Sequence, residues 1–348
     1  MRLLMLGGTE FVGRAVVEAA LGRGWDVTVF HRGLHDPPAG VRSLHGDRTA
    51  PDGLAALAED AQGPGGTWDL VVDTWSGAPR VVRDSARLLK DRVRRYVYVS
   101  SCSVYAWPQP AGYDESGPLV EGASPDAGQT DYARDKRGGE LAVLDAFGEE
   151  RALLVRAGLI LGPYENIGRL PWWLTRAARG GPVLAPGPRE LPLQYIDVRD
   201  LAEWTLAAVE GGSGVEGGAS GASGASGAYN LISPSGHATT RTLLDACARV
   251  TGGRAELRWT EPEMILAAGV EPWTQLPVWV PPDSELHDML HRVDVSKAVR
   301  AGLRCRPVSE TVADTWDWLQ DIGGVPPRRP DRPVVGLDPA VEEKLLRG

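Results

Sequence analysis

The chain has 348 residues, 43% of them hydrophobic and 24% charged, which excludes wholesale disorder and leaves room for about two domains. Its net charge of −9 disfavours a dedicated nucleic-acid binder, since phosphate backbones are held by clustered positive charge. Apolar runs stay well short of the roughly 18 residues that a spanning helix needs, and Cys102, Cys247 and Cys305 are too few and too scattered for a disulfide framework or a CxxC zinc site.

The chain opens as strand, glycine turn, helix, strand. Leu3–Leu6 is a short apolar run that breaks at Gly7-Gly8, too short for a secretory signal, so a cytoplasmic protein is expected. Val12, Val16, Ala19 and Ala20 recur at helical spacing before Gly22 and Gly24, and Val27–Phe30 forms a second β-rich run. Further strands are expected at Asp69–Asp73, Tyr96–Ser100 and Leu153–Arg156, with helices at about 80–92 and 132–147 between them. Strands alternating with helices predict an α/β protein: a Rossmann-type, doubly wound parallel sheet covered on both faces.

After residue 162 proline and tryptophan become frequent, and a smaller, interleaved C-terminal lobe is expected to bind substrate. Residues 1–165 are assigned to the nucleotide lobe, with 191–210 and 228–233 returning to it through strands at Leu193–Asp197 and Tyr229–Ile232. Residues 166–190 and 234–325 form the second lobe. Between them, 211–227 is rich in Gly, Ala and Ser, with the repeat GASGASGASGA running on to Ala228, and reads as a flexible surface insertion. Residues 326–348 read as an extended Pro/Arg-rich tail with a last helix near 338–346.

Four groups of residues carry chemistry. Gly7, Gly8, Thr9, Phe11, Val12 and Gly13 lie between the first strand and the first helix, where a dinucleotide pyrophosphate needs close backbone approach and free amides at a helix N-terminus. After the second strand stands His31-Arg32, with no acid until Asp36. A guanidinium there suits the 2′-phosphate of NADP, whereas NAD prefers a carboxylate on the ribose, so Arg32, aided by His31, predicts NADP over NAD.

Tyr132 and Lys136 share one helix face, where an ammonium eases ionisation of the phenol for proton transfer. Eight tyrosines and the chain's four lysines would give about 0.09 such Tyr-x-x-x-Lys pairs by chance. Finally, Ser100-Ser101-Cys102-Ser103 follows the YVYV strand, at the carboxyl end where α/β sheets bind ligands. His287 and His291 stand at i, i+4, a spacing that suits zinc, but no third ligand is evident and no metal is expected. Trp172, Trp173, Trp273 and Trp279 read as core more readily than as a pocket lining.

Taken together, GGTEFVG, SSCSVY, YARDK with Glu140, LLVRAGLILGP and the later QYIDVRDLA resemble the short-chain dehydrogenase/reductase superfamily, in its extended and atypical branches. The resemblance runs over about residues 1–320. It implies Ser101, Tyr132 and Lys136 as catalytic residues, with Lys136 also on the nicotinamide ribose and Asp47 beside the adenine. Three departures stand out: Glu10 replaces the middle glycine of the loop, Asp73-Thr74-Trp75-Ser76-Gly77 replaces an alanine-rich turn, and Cys102-Ser103 replaces the Asp-Glu pair of the dehydratases. The expected activity is NADP-dependent oxidation or reduction of a carbonyl or secondary alcohol on a small molecule. A sugar-nucleotide epimerase with tightly held NAD, and a non-catalytic NADP-binding sensor, are the alternatives. A homodimer is compatible with the resemblance, and neither nucleic acid nor membrane is an expected partner.

Overall fold

The computed structural model describes residues 1–63, 65–211 and 224–347. Seven parallel strands form its central sheet. In chain order they are β1 (Arg2–Leu6), β2 (Asp26–His31), β3 (Arg42–His45), β4 (Trp68–Asp73), β5 (Val93–Ser101), β6 (Ala152–Ala157) and, much later, β11 (Gly227–Leu231). Their spatial order is β11-β6-β5-β4-β1-β2-β3. The direction of build-up reverses between β1 and β4, which makes the crevice above those two strands the natural ligand site of such a sheet.

The alternation of side chains explains why these runs are strands. Leu3 and Met5 of β1, Val97 and Val99 of β5, and Leu153 and Val155 of β6 enter one core. Their neighbours Leu4, Leu6, Tyr96, Tyr98 and Leu154 enter another on the opposite face. Helices α1 (Phe11–Gly22) and α6 (Val198–Glu210) cover the first face. Helices α2 (Ala55–Gln62), α3 (Pro79–Leu89) and α4 (Tyr132–Arg151) cover the second. A strand buried on both faces needs a continuous apolar run, as these have.

The remaining strands are short pairs. β7 (Ile160–Leu161) pairs with β10 (Ile196–Asp197), β9 (Pro192–Leu193) with β12 (Ala238–Thr239), β8 (Gly181–Pro186) with β13 (Ala255–Thr260), and β14 (Pro272–Trp273) with β15 (Leu276–Pro277). With α5 (Arg169–Ala178), α7 (Thr240–Val250), α8 (Pro262–Ala267) and α11 (Val308–Asp321), most of them surround a separate core that includes Trp173, Leu184, Leu244 and Trp279. The helices α9 (Glu285–His291) and α10 (Ser296–Arg300) return the chain toward the first lobe, where Ala298 and Leu303 are buried.

Two expectations change. The stretch 193–197 is not one strand of the central sheet; it is split between β9 and β10, so that Leu191, Leu193 and Tyr195 pack in the second core and Ile196 in the first. The last stretch is extended but not free. Leu337 is buried in the second core, and α12 (Pro339–Arg347) docks through Glu342, whose carboxylate pairs with Arg176 at 2.6 Å and accepts the Leu184 amide. Of the expected flexible insertion, 212–223 lies outside the described residues. Among the described residues no helix is long and apolar enough to cross a membrane.

Candidate active site

The loop between β1 and α1 is built for close approach. Gly8 sits at φ 99°, and a Cβ there would press on Met5, Val17 and Val29. A Cβ on Gly13 would meet the Gly8 amide nitrogen at 2.6 Å, so only glycine lets α1 lie against the loop. Phe11 also holds a positive φ, 35°, a conformation an L-residue adopts only under constraint. Glu10 stands at the N-cap of α1 without capping it through its side chain, which leaves the first-turn amides to an outside acceptor. Its carboxylate lies instead within 3.5 Å of the Asn166 amide and 3.8 Å of the His35 ring. These features fit a dinucleotide pyrophosphate.

At the end of β2, Arg32 is exposed, and its charge helps to hold the Asp47 carboxyl below its ordinary range, after the hydrogen bonds from the Thr49 hydroxyl and amide. His31 does not join Arg32. Its ring is buried against His45, 4.7 Å between centroids, and Nδ1 accepts the Gly33 amide. It is the last, buried residue of β2, and its Nε2 has no hydrogen-bond partner.

The register of α4 places the candidate pair Tyr132 and Lys136. Asp131 caps the helix by accepting the Arg134 amide at 3.0 Å, and the Thr130 hydroxyl donates to Asp135 at 2.7 Å. Tyr132 is therefore the first helical residue, 37% exposed, and Lys136 lies one turn further in, 3% exposed. The Lys136 ammonium donates to the carbonyls of Trp75 and Val99, each at 2.6 Å, and lies 4.8 Å from the centre of the Tyr98 ring. Burial pushes its pKa down to about 7. The Arg332 and Arg329 charges add to that, while Asp73 and Glu140 oppose it. Ser101 follows Val99 by two residues on the same strand, and its hydroxyl donates to the Ser103 hydroxyl at 3.1 Å while accepting the Ser103 amide.

Several neighbouring groups take roles that the sequence did not assign. Asp73 ends β4 in complete burial and takes both arms of Arg48 at 2.7 Å, the Tyr96 hydroxyl at 2.7 Å and the Trp75 amide. That array fixes the Trp75 carbonyl against Lys136. Glu140, one turn beyond Lys136, is gripped by Arg137 and Arg156 and by the Ser100 hydroxyl. Cys102 is buried with its thiol pushed up to about 12, so it is no nucleophile. Arg169 of α5 lies over the Trp273 ring at 5.0 Å, and Arg332 lies over the Tyr132 ring at 5.0 Å.

Other candidates have structural duties. His291 accepts the Gln194 amide at Nδ1 and faces the Val278 carbonyl at Nε2, while His287 faces the Pro192 carbonyl. Trp173 and Trp279 are buried in the second core, each donating its indole N–H to a backbone carbonyl.

A glycine loop at the switch point of a parallel sheet, with a tyrosine and a buried lysine one helical turn apart at the carboxyl ends of the strands, defines a dinucleotide-binding α/β protein. Residues 3–219 match the NAD dependent epimerase/dehydratase family, and the chain belongs to it. None of the curated proteins matches the chain. Among solved structures, the Bordetella bronchiseptica enzyme WbmH in complex with NAD+ is similar at a TM-score of 0.64 and 17% identity, over 93% of this chain and 99% of that one. UDP-glucose 4-epimerase of Thermus thermophilus with NAD gives 0.61 at 19% identity, over 93% and 100%. UDP-glucuronic acid 4-epimerase of Bacillus cereus with NAD gives 0.60 at 16% identity, over 92% and 99%.

Proposed function

We propose that the protein is a nicotinamide-dependent oxidoreductase that acts on a secondary alcohol or carbonyl of a small molecule, with Tyr132 as the proton carrier. The observation that carries this reading is the Lys136 clamp. A rare lysine is buried beneath the first turn of α4 with two of its three N–H groups spent on Trp75 and Val99. That fixes the face on which Tyr132 stands and leaves one N–H for a ribose hydroxyl or the phenol.

The backbone of Gly7, Gly8, Thr9, Phe11, Val12 and Gly13 would hold the pyrophosphate of the dinucleotide, with Asp47 on the adenine side and Arg32 beside the ribose 2′ position. When bound, that cofactor supplies the hydride acceptor or donor. Tyr132 takes or gives the proton at the substrate oxygen, Lys136 holds the ribose through its remaining N–H, and the Ser101 hydroxyl orients the oxygen. The exposed Arg32 supports NADP as the preferred form.

A second reading, an epimerase that keeps its NAD through turnover, is favoured by the covering of the cleft. The Arg329 amide is tied to the Asn166 carbonyl, and Asn166 in turn reaches Glu10 at the start of α1. Native mass spectrometry separates the two. Retained dinucleotide supports the epimerase, and a dinucleotide-free protein that turns over added NADP supports the reductase.

Both readings need Tyr132. Tyr132→Phe should lower turnover by about 10²–10⁴-fold while leaving dinucleotide affinity within about twofold. An active Tyr132→Phe variant would overturn both.

A further inference from the structure

The Pro/Arg-rich segment 326–338 is laid across the mouth of the candidate site as a strap. One end is tied by the Arg329 amide to Asn166, beside the glycine loop. The other is tied by the Gly336 amide to the Thr274 carbonyl at 2.8 Å and by Leu337 in the second core. Gly336 lies so close to Trp172 that a Cβ there would collide with the indole ring. Arg332 lies between these anchors, on the ring of Tyr132.

Two arginines beneath the strap lack a close carboxylate partner, although the buried Glu165 carboxyl acts on Arg169 through space. Three buried guanidinium groups elsewhere are matched to carboxylates: Arg48 to Asp73, Arg156 to Glu140, Arg176 to Glu342. Arg169 and Arg332 are not. Among the described residues, the Arg169 guanidinium makes no hydrogen bond or ion pair, and its buried Nε is unpartnered. The Arg332 Nε is likewise buried without a hydrogen bond, and its nearest carboxylate oxygen, on Asp331, is 3.9 Å away. Asp331 is already taken by both arms of Arg329, at 2.7 and 3.0 Å. Glu165, the acid nearest Arg169 in the chain, spends its two oxygens on the backbone amides of Arg169 and Leu170. The Arg332 charge lies close enough to both Arg169 and Lys136 to lower their pKa values.

We propose that Arg332 of the strap and Arg169 of α5 form an oxyanion site at the reacting end of the cleft, which selects a substrate carrying a carboxylate or phosphate within a few bonds of the carbon that reacts. The proposal rests on Tyr132 being the reacting end. A guanidinium N–H buried without an acceptor is costly, and a ligand oxyanion removes that cost through charge-assisted hydrogen bonds. The cofactor pyrophosphate is the other possible source of oxyanions, but the α1 amides already serve it, and Arg332 lies on Tyr132, the group that meets the substrate.

The test is isothermal titration of the full-length protein with inorganic phosphate and with acetate, each with and without saturating dinucleotide. Saturable binding of one anion is expected in both states; phosphate alone would indicate a phosphorylated substrate, and acetate alone an acidic one. Arg332→Ala and Arg169→Gln should each weaken that binding about tenfold or more, and Arg332→Lys should restore part of it. Binding of neither anion, an unchanged affinity in Arg332→Ala, or loss of the anion site once dinucleotide is bound would overturn the proposal. Tyr132→Phe keeps the ring under Arg332 and should bind the anion as the unaltered protein does. Failure of the oxidoreductase reading shows instead as persistent turnover in that variant, so the two failures are distinct.

Discussion

Lys136 carries a large electrostatic cost. Its pKa lies near 7 in the folded protein because burial disfavours the charged form, against about 10.4 for a free lysine. Between those values the unfolded chain binds more protons than the native state, so this group makes stability rise with pH across that window. Lys136→Met should flatten the rise, measured as urea midpoints between about pH 7 and pH 10. Arg332→Ala removes a charge that lowers this pKa, and should move the alkaline limb of turnover to higher pH. At the far end of the cleft, Arg32→Ala should cost NADP about tenfold or more in affinity and leave NAD nearly untouched, because only NADP offers the 2′-phosphate to a guanidinium. Equal losses for the two would remove Arg32 from cofactor choice.

The strands and helices that were legible are those with a strong period. β1, β2, β4, β5 and β6 are apolar runs buried on both faces, and α1 and α4 begin at a glycine loop and an aspartate cap. β3 was not foreseen, because an edge strand reading Arg-Ser-Leu-His is exposed and carries little apolar signal. Two-residue strands such as β9 and β10 are fixed by tertiary pairing alone, which no local period announces. The same contrast holds in the site. Tyr132 and Lys136 declare themselves by spacing, whereas Arg48 meets Asp73 from 25 positions away and arginine is common along the chain. Arg169 belongs to the second lobe and Arg332 to the tail, more than 160 residues on, so only folding brings both near the site. At the level of the element, Gly13→Ala is the sharpest test of the loop. The new methyl would collide with backbone at Gly8 and not with a pliable side chain. It should lower stability by about 1–3 kcal/mol and abolish dinucleotide-induced stabilisation in a thermal melt.

Across the whole molecule, the two lobes and the strap depend on buried charge pairs, and the pair that secures α12 is accessible to mutation. Glu342→Ala would leave the Arg176 guanidinium and the Leu184 amide without their carboxylate. The expected cost is about 3 kcal/mol by urea unfolding, because the charge left behind stays buried. Hydrogen exchange should rise along 326–338 while β1 and α1 keep their protection. Uniform loss of protection would mean that the strap and the sheet unfold as one unit.

The path of the strap also has a consequence in time. A chain leaves the ribosome from its N-terminus, and lobes fold as they emerge. The glycine loop, the central sheet and the Tyr132 helix are all made before Arg332 and the helix that secures it. On the reading proposed above, a nascent chain would complete its cofactor site before Arg332 reaches Tyr132. A premature stop or a protease cut near residue 326 should yield a molecule that still binds cofactor but has lost its arginine at Tyr132, a failure that a cofactor-binding assay alone would miss.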